Sequence, residues 1–385
     1  MIMKKIVLIS LAVVMSASAT ITWTHKADLI VGRDGVGVAA VDSLIYCIGG
    51  WTGGYPWTAT DLVEAYNPAT NTWTIKSKMP TARGFLAVCV LNGKIYALGG
   101  WNGSSDTLRT AEVYDPLTDT WDTIAPMNDG KAGLGAEVAG GKIYVMGSFH
   151  GSRDVVEEYD PATNTWTVKT SMPGARSMFA SEAVNGRIYL LGGCNTHSYV
   201  VPTWEYDPAG DTTGGNPWQV KSDIPTIRNH PEAAVVAGKI YVCGGINDSE
   251  GQISIGYLGY RGRGELATVE AYDPASDTWT DETPMNFARR ELDVAALGDR
   301  LYAVAGWPAG VSRINEEGLV ELEVSRRESR SARTRLPAIT NGPIRFDPGF
   351  RLYDASGRRI QSGPIDPGVY FLVGEGGVHK IVKIR

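Results

Sequence analysis

The chain has 385 residues, 43% hydrophobic and 20% charged, an ordinary balance for a soluble globular protein. Its formal net charge of −6 excludes a global basic footprint for nucleic acid. Length alone suggests two or three domains, unless the chain is repetitive.

The first elements in chain order belong to a leader. Lys4 and Lys5 precede an apolar run from Ile6 to Met15, and Ala17-Ser18-Ala19 reads as a small-residue cleavage site. Residues 1–19 are therefore expected to be a secretory signal peptide, too short in its apolar run to span a membrane. No later run is apolar for 18 residues, so no transmembrane segment is expected. Cys47, Cys89 and Cys243 sit in apolar strand patterns, where a free cysteine acts as a small hydrophobe. Cys194 follows a glycine pair and is expected to be more exposed.

After the leader one unit recurs six times. Trp23 lies 27 residues before Gly50, and the same interval separates Trp73 from Gly100, Trp121 from Ser148, Trp166 from Gly193, Trp218 from Gly245 and Trp279 from Gly306. Each unit has an alternating apolar segment, a turn such as Asn92-Gly93, and a strand ending in two small residues (IYCIGG, IYALGG, IYVMGS). A variable loop, a third strand (VEAYNP, AEVYDP, VEEYDP), a short polar turn and the tryptophan strand complete it. Four short strands per unit, repeated at 45 (Trp121 to Trp166) to 61 residues (Trp218 to Trp279), indicate a β-propeller.

The double glycine, the tyrosine of the YDP segment and the following tryptophan resemble the Kelch motif. The resemblance implies an all-β, six-bladed Kelch-type propeller over residues 20–318. The strand around Ile21-Thr22-Trp23 has no first three strands before it, and the last unit has no final tryptophan. The N-terminal strand is therefore expected to close the last blade, whose third strand falls somewhere in 311–324.

With strands a to d counted outward from the channel, the b–c loops and d–a links share one rim. Length varies mainly in the b–c loops, so that rim is the expected functional face. Ten residues after each tryptophan stands a cation: Arg33, Arg83, Lys131, Arg176, Arg228 and Arg289. The arginines are candidates for holding an anionic group; the alternative is internal pairing with Glu64, Glu112, Glu157 and Glu270. Trp51, Trp101, Phe149 and Trp307 follow the small pair, with Trp57, Tyr199, Trp204 and Tyr257 nearby. These aromatics suit sugar rings or peptide side chains, or else they pack loop bases against neighbouring blades. His150, Cys194, His197 and His230 are metal-capable but lack a tight ligand spacing, and no cofactor is expected. Kelch-type galactose oxidases use copper with tyrosine and histidine ligands, and no such ligand pair is matched here.

Strand a is expected to line the channel, with Glu137, Glu182, Glu232, Glu291 and Asp293 on one face. Glu182 and Glu232 are candidate general bases with raised pKa. Six-bladed Kelch mutarotases acting on sialic acid make this an enzyme alternative, although no specific catalytic signature of theirs is matched.

Residues 319–335 carry five arginines at 326, 327, 330, 333 and 335 and read as a charged linker or edge strand. Residues 336–385 alternate short strands with Asn-Gly, Ser-Gly and Pro-Gly turns, suggesting a small C-terminal β-sandwich. Leu352-Tyr353-Asp354-Ala355-Ser356-Gly357-Arg358, Pro367-Gly368-Val369-Tyr370-Phe371 and the basic ending Lys380–Arg385 resemble type A sorting domains of the type IX secretion pathway. The resemblance implies secretion machinery as a partner, with delivery through the periplasm to the cell surface or the extracellular space. The expected function is binding of a carbohydrate or protein at the b–c rim. The alternatives are a sugar-active enzyme and a structural or adhesive surface protein.

Overall fold

The computed structural model describes residues 20–321, except 54–56, 105, 152, 196–197, 248–263 and 308–311, and the backbone of 351–354, 359–360, 368–374 and 377–383. The expected leader at 1–19 lies outside these residues, as does 322–335 of the charged segment expected at 319–335; residues 319–321 instead belong to a propeller strand.

Among the described residues, six four-stranded antiparallel sheets form a propeller. The innermost strands a are Gly37–Val41, Ala87–Leu91, Gly135–Ala139, Ala180–Val184, Glu232–Val236 and Asp293–Leu297, for blades 1 to 6. In blade 1, strands b, c and d are Leu44–Ile48, Val63–Asn67 and Thr72–Ile75. Blade 6 has strands b and c at Arg300–Val304 and Asn315–Glu321, and its strand d is Thr20–His25. That N-terminal strand pairs antiparallel with strand c in the register Thr20↔Glu321 to His25↔Glu316, as the repeat pattern requires.

The motif residues are explained by one recurring interface. Each strand-d tryptophan donates its indole N–H to a carbonyl in the link of the preceding blade: Trp73 to Ala27, Trp121 to Ser77, Trp166 to Ala125, Trp218 to Thr170, Trp279 to Ser222 and Trp23 to Thr283. In blades 1 to 5 the same link residue returns its own N–H to an Asx side chain in the c–d turn, as Ala125 does to Asn164 at 2.8 Å. The YDP tyrosine bonds that Asx too, as Tyr159 does to Asn164 at 2.9 Å. Asn71, Asn164, Asp119 and Asp277 hold φ near +55°, which Asn and Asp tolerate better than most residues. One turn residue thus fixes its own turn and clamps the neighbouring blade.

Apolar residues fill the spaces between blades. Cys89, Leu98, Met127, Ile143 and Val145 pack blade 2 on blade 3, and Ala180, Tyr189, Ile240 and Val242 pack blade 4 on blade 5. Alternation along each strand sends one row of side chains to each neighbour. The double-small pair is needed because backbone comes close there. A Cβ on Gly49 would lie 2.6 Å from the Arg83 carbonyl, and one on Gly50 2.6 Å from that of Asp34.

The C-terminal unit is described by itself. Its strands Arg351–Asp354, Arg359–Ile360, Gly368–Gly374 and Gly377–Lys383 form one four-stranded antiparallel sheet. A second sheet of the expected sandwich does not occur among the described residues.

Replacing Asn164 by Ala removes acceptors for Tyr159 and Ala125. It should cost about 1–3 kcal/mol in chemical denaturation, whereas the exposed Thr123→Ala should stay within roughly 0.5 kcal/mol.

Candidate functional site

Each d–a link ends in a cation that turns inward beneath a b–c loop. Arg33 donates to the Gly49 and Leu62 carbonyls at 3.1 and 2.9 Å and to Glu64 at 3.0 Å. Arg83 meets Glu112 at 2.6 Å, Arg228 meets Glu270 at 2.6 Å, Arg289 meets Glu316 at 2.7 Å, and Lys131 lies 3.5 Å from Glu157. Glu316 escaped the sequence reading because strand c of blade 6 has no YDP segment. In blade 4 the register position of the glutamate holds Trp204, opposite Leu190. Arg176 stacks on that ring at 3.8 Å and donates to the Leu190 and Pro202 carbonyls. Without a carboxylate partner, burial pulls the Arg176 guanidinium down to about 9.

Arg33, Arg83, Arg176, Arg228 and Arg289 are all fully buried. The expectation that they contact a ligand is therefore corrected: internal pairing occupies them. Their terminal N–H groups are spent on buried carbonyls around the turn at the small pair.

Twelve residues after each tryptophan stand Gly35, Phe85, Gly133, Met178, His230 and Glu291, all with φ between 52° and 60°. They form a belt of backbone bonds around the axis. Phe85 N–H donates to Gly35 O, Gly133 to Phe85, Met178 to Gly133, His230 to Met178 and Gly35 to Glu291. Left-handed backbone costs a non-glycine residue about 1–2 kcal/mol, so Phe85, Met178, His230 and Glu291 are held there by the ring. The glycines at two of the six positions were the sequence signal for this belt. Phe85 of blade 2 meets His230 of blade 5, directly across the ring, with centroids 6.2 Å apart. Their side chains therefore close the channel on the b–c side.

The aromatic candidates divide. Trp51 is buried and lies on Gly84, where a Cβ would come within 2.1 Å of its indole nitrogen. It is a packing residue between blades 1 and 2. Trp101 and Phe149 are half-exposed; Trp101 meets Trp51 at 5.1 Å and Phe149 meets Phe85 at 6.2 Å. Together with half-buried Trp57 and Met178 they form an apolar sector on blades 1 to 4. Trp204 is buried under Arg176. Half-buried Trp307 stands across the rim, with Arg290 at 5.8 Å.

That side of the rim is polar. Arg290 bonds Glu265 at 2.8 Å and Glu291 at 3.3 Å, and His230 Nδ1 lies 3.8 Å from Glu291. Burial, and then the Glu291 charge, push the buried Asp34 carboxyl up to about 9. Burial, and then Arg290, depress His230 to about 3, so its ring is neutral. Glu291 belongs to this rim cluster, not to the channel row in which it was expected.

The metal-capable residues are scattered. His150 is exposed against Phe149, and Cys194 lies 3.8 Å from Ser177 Oγ. His230 faces Phe85, and His197, like Tyr257, lies outside the described residues. Among the described residues no group of three or more His, Cys, Asp or Glu is arranged to hold a metal ion. Cys194 is buried rather than exposed, because its bridge to Ser177 tucks it under the loop.

Below the belt lies a chamber of about 350 Å³ lined by the strands a, including Glu137, Glu182, Glu232 and Asp293 and no basic residue. Glu137 accepts from Ser181 at 2.8 Å, and Asp293 accepts from the Val38 amide. Glu182 and Glu232 make no hydrogen bond or ion pair among the described residues. Burial first, then the neighbouring carboxylates, raise both well above the ordinary 4.5. Burial lifts Glu137 and Asp293 to about 7.

The Kelch motif matches residues 32–80, 82–128, 130–173, 175–212 and 259–286, more than half of the chain. Beta-scruin of Limulus polyphemus is 34% identical over 91 residues, 24% of this chain and 8% of that protein. Kelch-like protein 1 of Mus musculus is 52% identical over 42 residues, 11% and 6%. An F-box/kelch-repeat protein of Arabidopsis thaliana is 31% identical over 114 residues, 29% and 21%. The chain thus spans only a small part of these curated relatives. The solved structure of YjhT covers 78% of this chain and 98% of its own, with a TM-score of 0.64 at 15% identity, a likeness of fold.

Two outcomes test the electrostatics. Glu112→Ala leaves Arg83 buried without its charge partner and should cost about 3–5 kcal/mol in chemical denaturation. In the chamber the folded state binds protons more tightly than the unfolded chain. Stability from these groups is complete below pH 4.5 and falls as pH rises through 7. Glu182→Gln and Glu232→Gln should therefore raise the melting temperature at pH 8 and leave it unchanged at pH 4. A lower melting temperature at pH 8 would instead mark these carboxylates as charge-paired.

Proposed function

We propose that this chain, which belongs to the Kelch-repeat family, is a binding scaffold that engages a protein or carbohydrate at its b–c rim. The observation that carries this reading is the division of that rim. Half-exposed Trp101 and Phe149 stand on the apolar sector, facing the Arg290–Glu265–Glu291 cluster and Trp307 across the closed axis. An aromatic surface beside convergent polar groups suits a sugar ring or a peptide side chain. The buried arginines take no part.

A second reading is a sugar-active enzyme, favoured by the unpaired Glu182 and Glu232 in the chamber. The Phe85–His230 contact counts against it, because it separates those carboxylates from the rim. We further propose export directed by residues 1–19 and surface delivery through residues 336–385. The supports are the charged start, apolar run and small-residue site of the leader, and the Leu352–Arg358 and Pro367–Phe371 segments of the tail.

Glycan-array and pull-down binding by the full chain should fall at least about tenfold in Trp101→Ala and Phe149→Ala with the melting curve retained. Undiminished binding would remove the rim from consideration. Deleting residues 336–385 should strand the protein in the periplasm of a host that has the pathway. Surface display of the truncated chain would count against the sorting role.

A further inference from the structure

Four inter-blade hydrogen bonds recur around the ring: the belt bond, a bond from the second small residue to the next cation's carbonyl, the tryptophan bond and the Asx bond. All four are present between blades 6 and 1. There Gly35 N–H donates to Glu291 O, Gly306 to Arg33, Trp73 to Ala27, and Ala27 to Asn71. Blades 1 and 2, 2 and 3, 3 and 4, and 4 and 5 repeat the set. Between blades 5 and 6 two remain: Gly245 to Arg289 and Trp23 to Thr283, each 2.9 Å.

Both losses have local origins. Strands c and d of blade 6 come from opposite ends of the propeller chain, so no c–d turn exists to supply an Asx acceptor for Thr283. Gly318 stands opposite Trp23 where other blades place the tyrosine that orients that Asx. In the belt, Glu291 N–H makes no bond to His230 O, and His230 is the one belt residue followed by proline, whose ring restricts the residue before it. Apolar packing does not distinguish this interface: Cys243, Val269, Met285, Leu292 and Leu301 fill it as other clusters fill the rest. A side-chain pair stands in for the missing backbone bond: Arg290 of blade 6 on Glu265 of blade 5 at 2.8 Å.

We infer that the interface between blades 5 and 6 is the seam at which this propeller opens, with the Arg290–Glu265 pair as its rim-side latch. With the latch counted, the interface is short of one hydrogen bond, the Asx bond, which makes opening there roughly two to ten times more frequent than at the other interfaces. The seam runs up to the polar sector of the rim, so opening would loosen that sector and leave the aromatic sector in place.

Native cysteines report the outcome in the unmodified full chain. Cys243 lies in the seam and Cys47 in the fully bonded interface between blades 6 and 1. Both are free and completely buried, and burial pushes both thiols up to about 12. Pulse labelling with a thiol reagent under native conditions, read by peptide mass spectrometry, should modify Cys243 at least about twofold faster than Cys47. Equal rates, or faster Cys47, would overturn the seam. Glu265→Gln should accelerate Cys243 and leave Cys47 unchanged. Asn71→Ala, which removes the Asx bond between blades 6 and 1, should accelerate Cys47 and leave Cys243 unchanged. An unchanged Cys243 rate in Glu265→Gln would remove the latch.

Discussion

The pairing of Thr20–His25 with Asn315–Glu321 is the constraint on which the rest depends. A blade buries its faces only between two neighbours, and an open row of six would leave two unpacked faces. By lending its first strand to the last sheet, the chain converts the row into a ring and gives every strand a a place on one axis. The same device removes the c–d turn from blade 6. Closure and the thinning of the bonds between blades 5 and 6 are thus two consequences of one connection.

Within the ring, charge is used in two opposite ways. Beneath the b–c loops, buried cations meet carbonyls and carboxylates, so desolvation is offset by donors and acceptors in register. Blade 4 reaches the same end with an aromatic face in place of an anion. In the chamber, by contrast, carboxylates face one another with no cation in the lining, and they respond by retaining protons. The first arrangement stabilises the scaffold, whereas the second weakens it at neutral pH.

The left-handed belt separates these two layers. It places Phe85 against His230 across the axis and so divides chamber from rim. Ligand contact at the rim is thereby confined to the loop bases and the belt side chains, aromatic on one side and charged on the other. The family supplies the repeated frame; the unequal residues at the belt and after the small pair are what this chain adds to it.

The repeat interval, the double-small pairs and the orphan first strand were enough to read the architecture, because those residues act through local turns and through interfaces that recur identically. The residues at each rim position were equally legible, but their roles were not. Arg33 and Arg83 look the same in sequence whether they face solvent or a buried glutamate, and Trp51 looks the same as Trp101. Only the tertiary structure places Gly84 under the Trp51 indole, puts Trp204 in the register of a glutamate, and brings Phe85 to His230 from opposite blades. Such contacts cross from one blade to another or depend on register between strands, so no local pattern carries them. The sequence by itself determined how many blades form and how the ring closes; burial and neighbour identity, which exist only once it has closed, decided which side chains remain for a ligand.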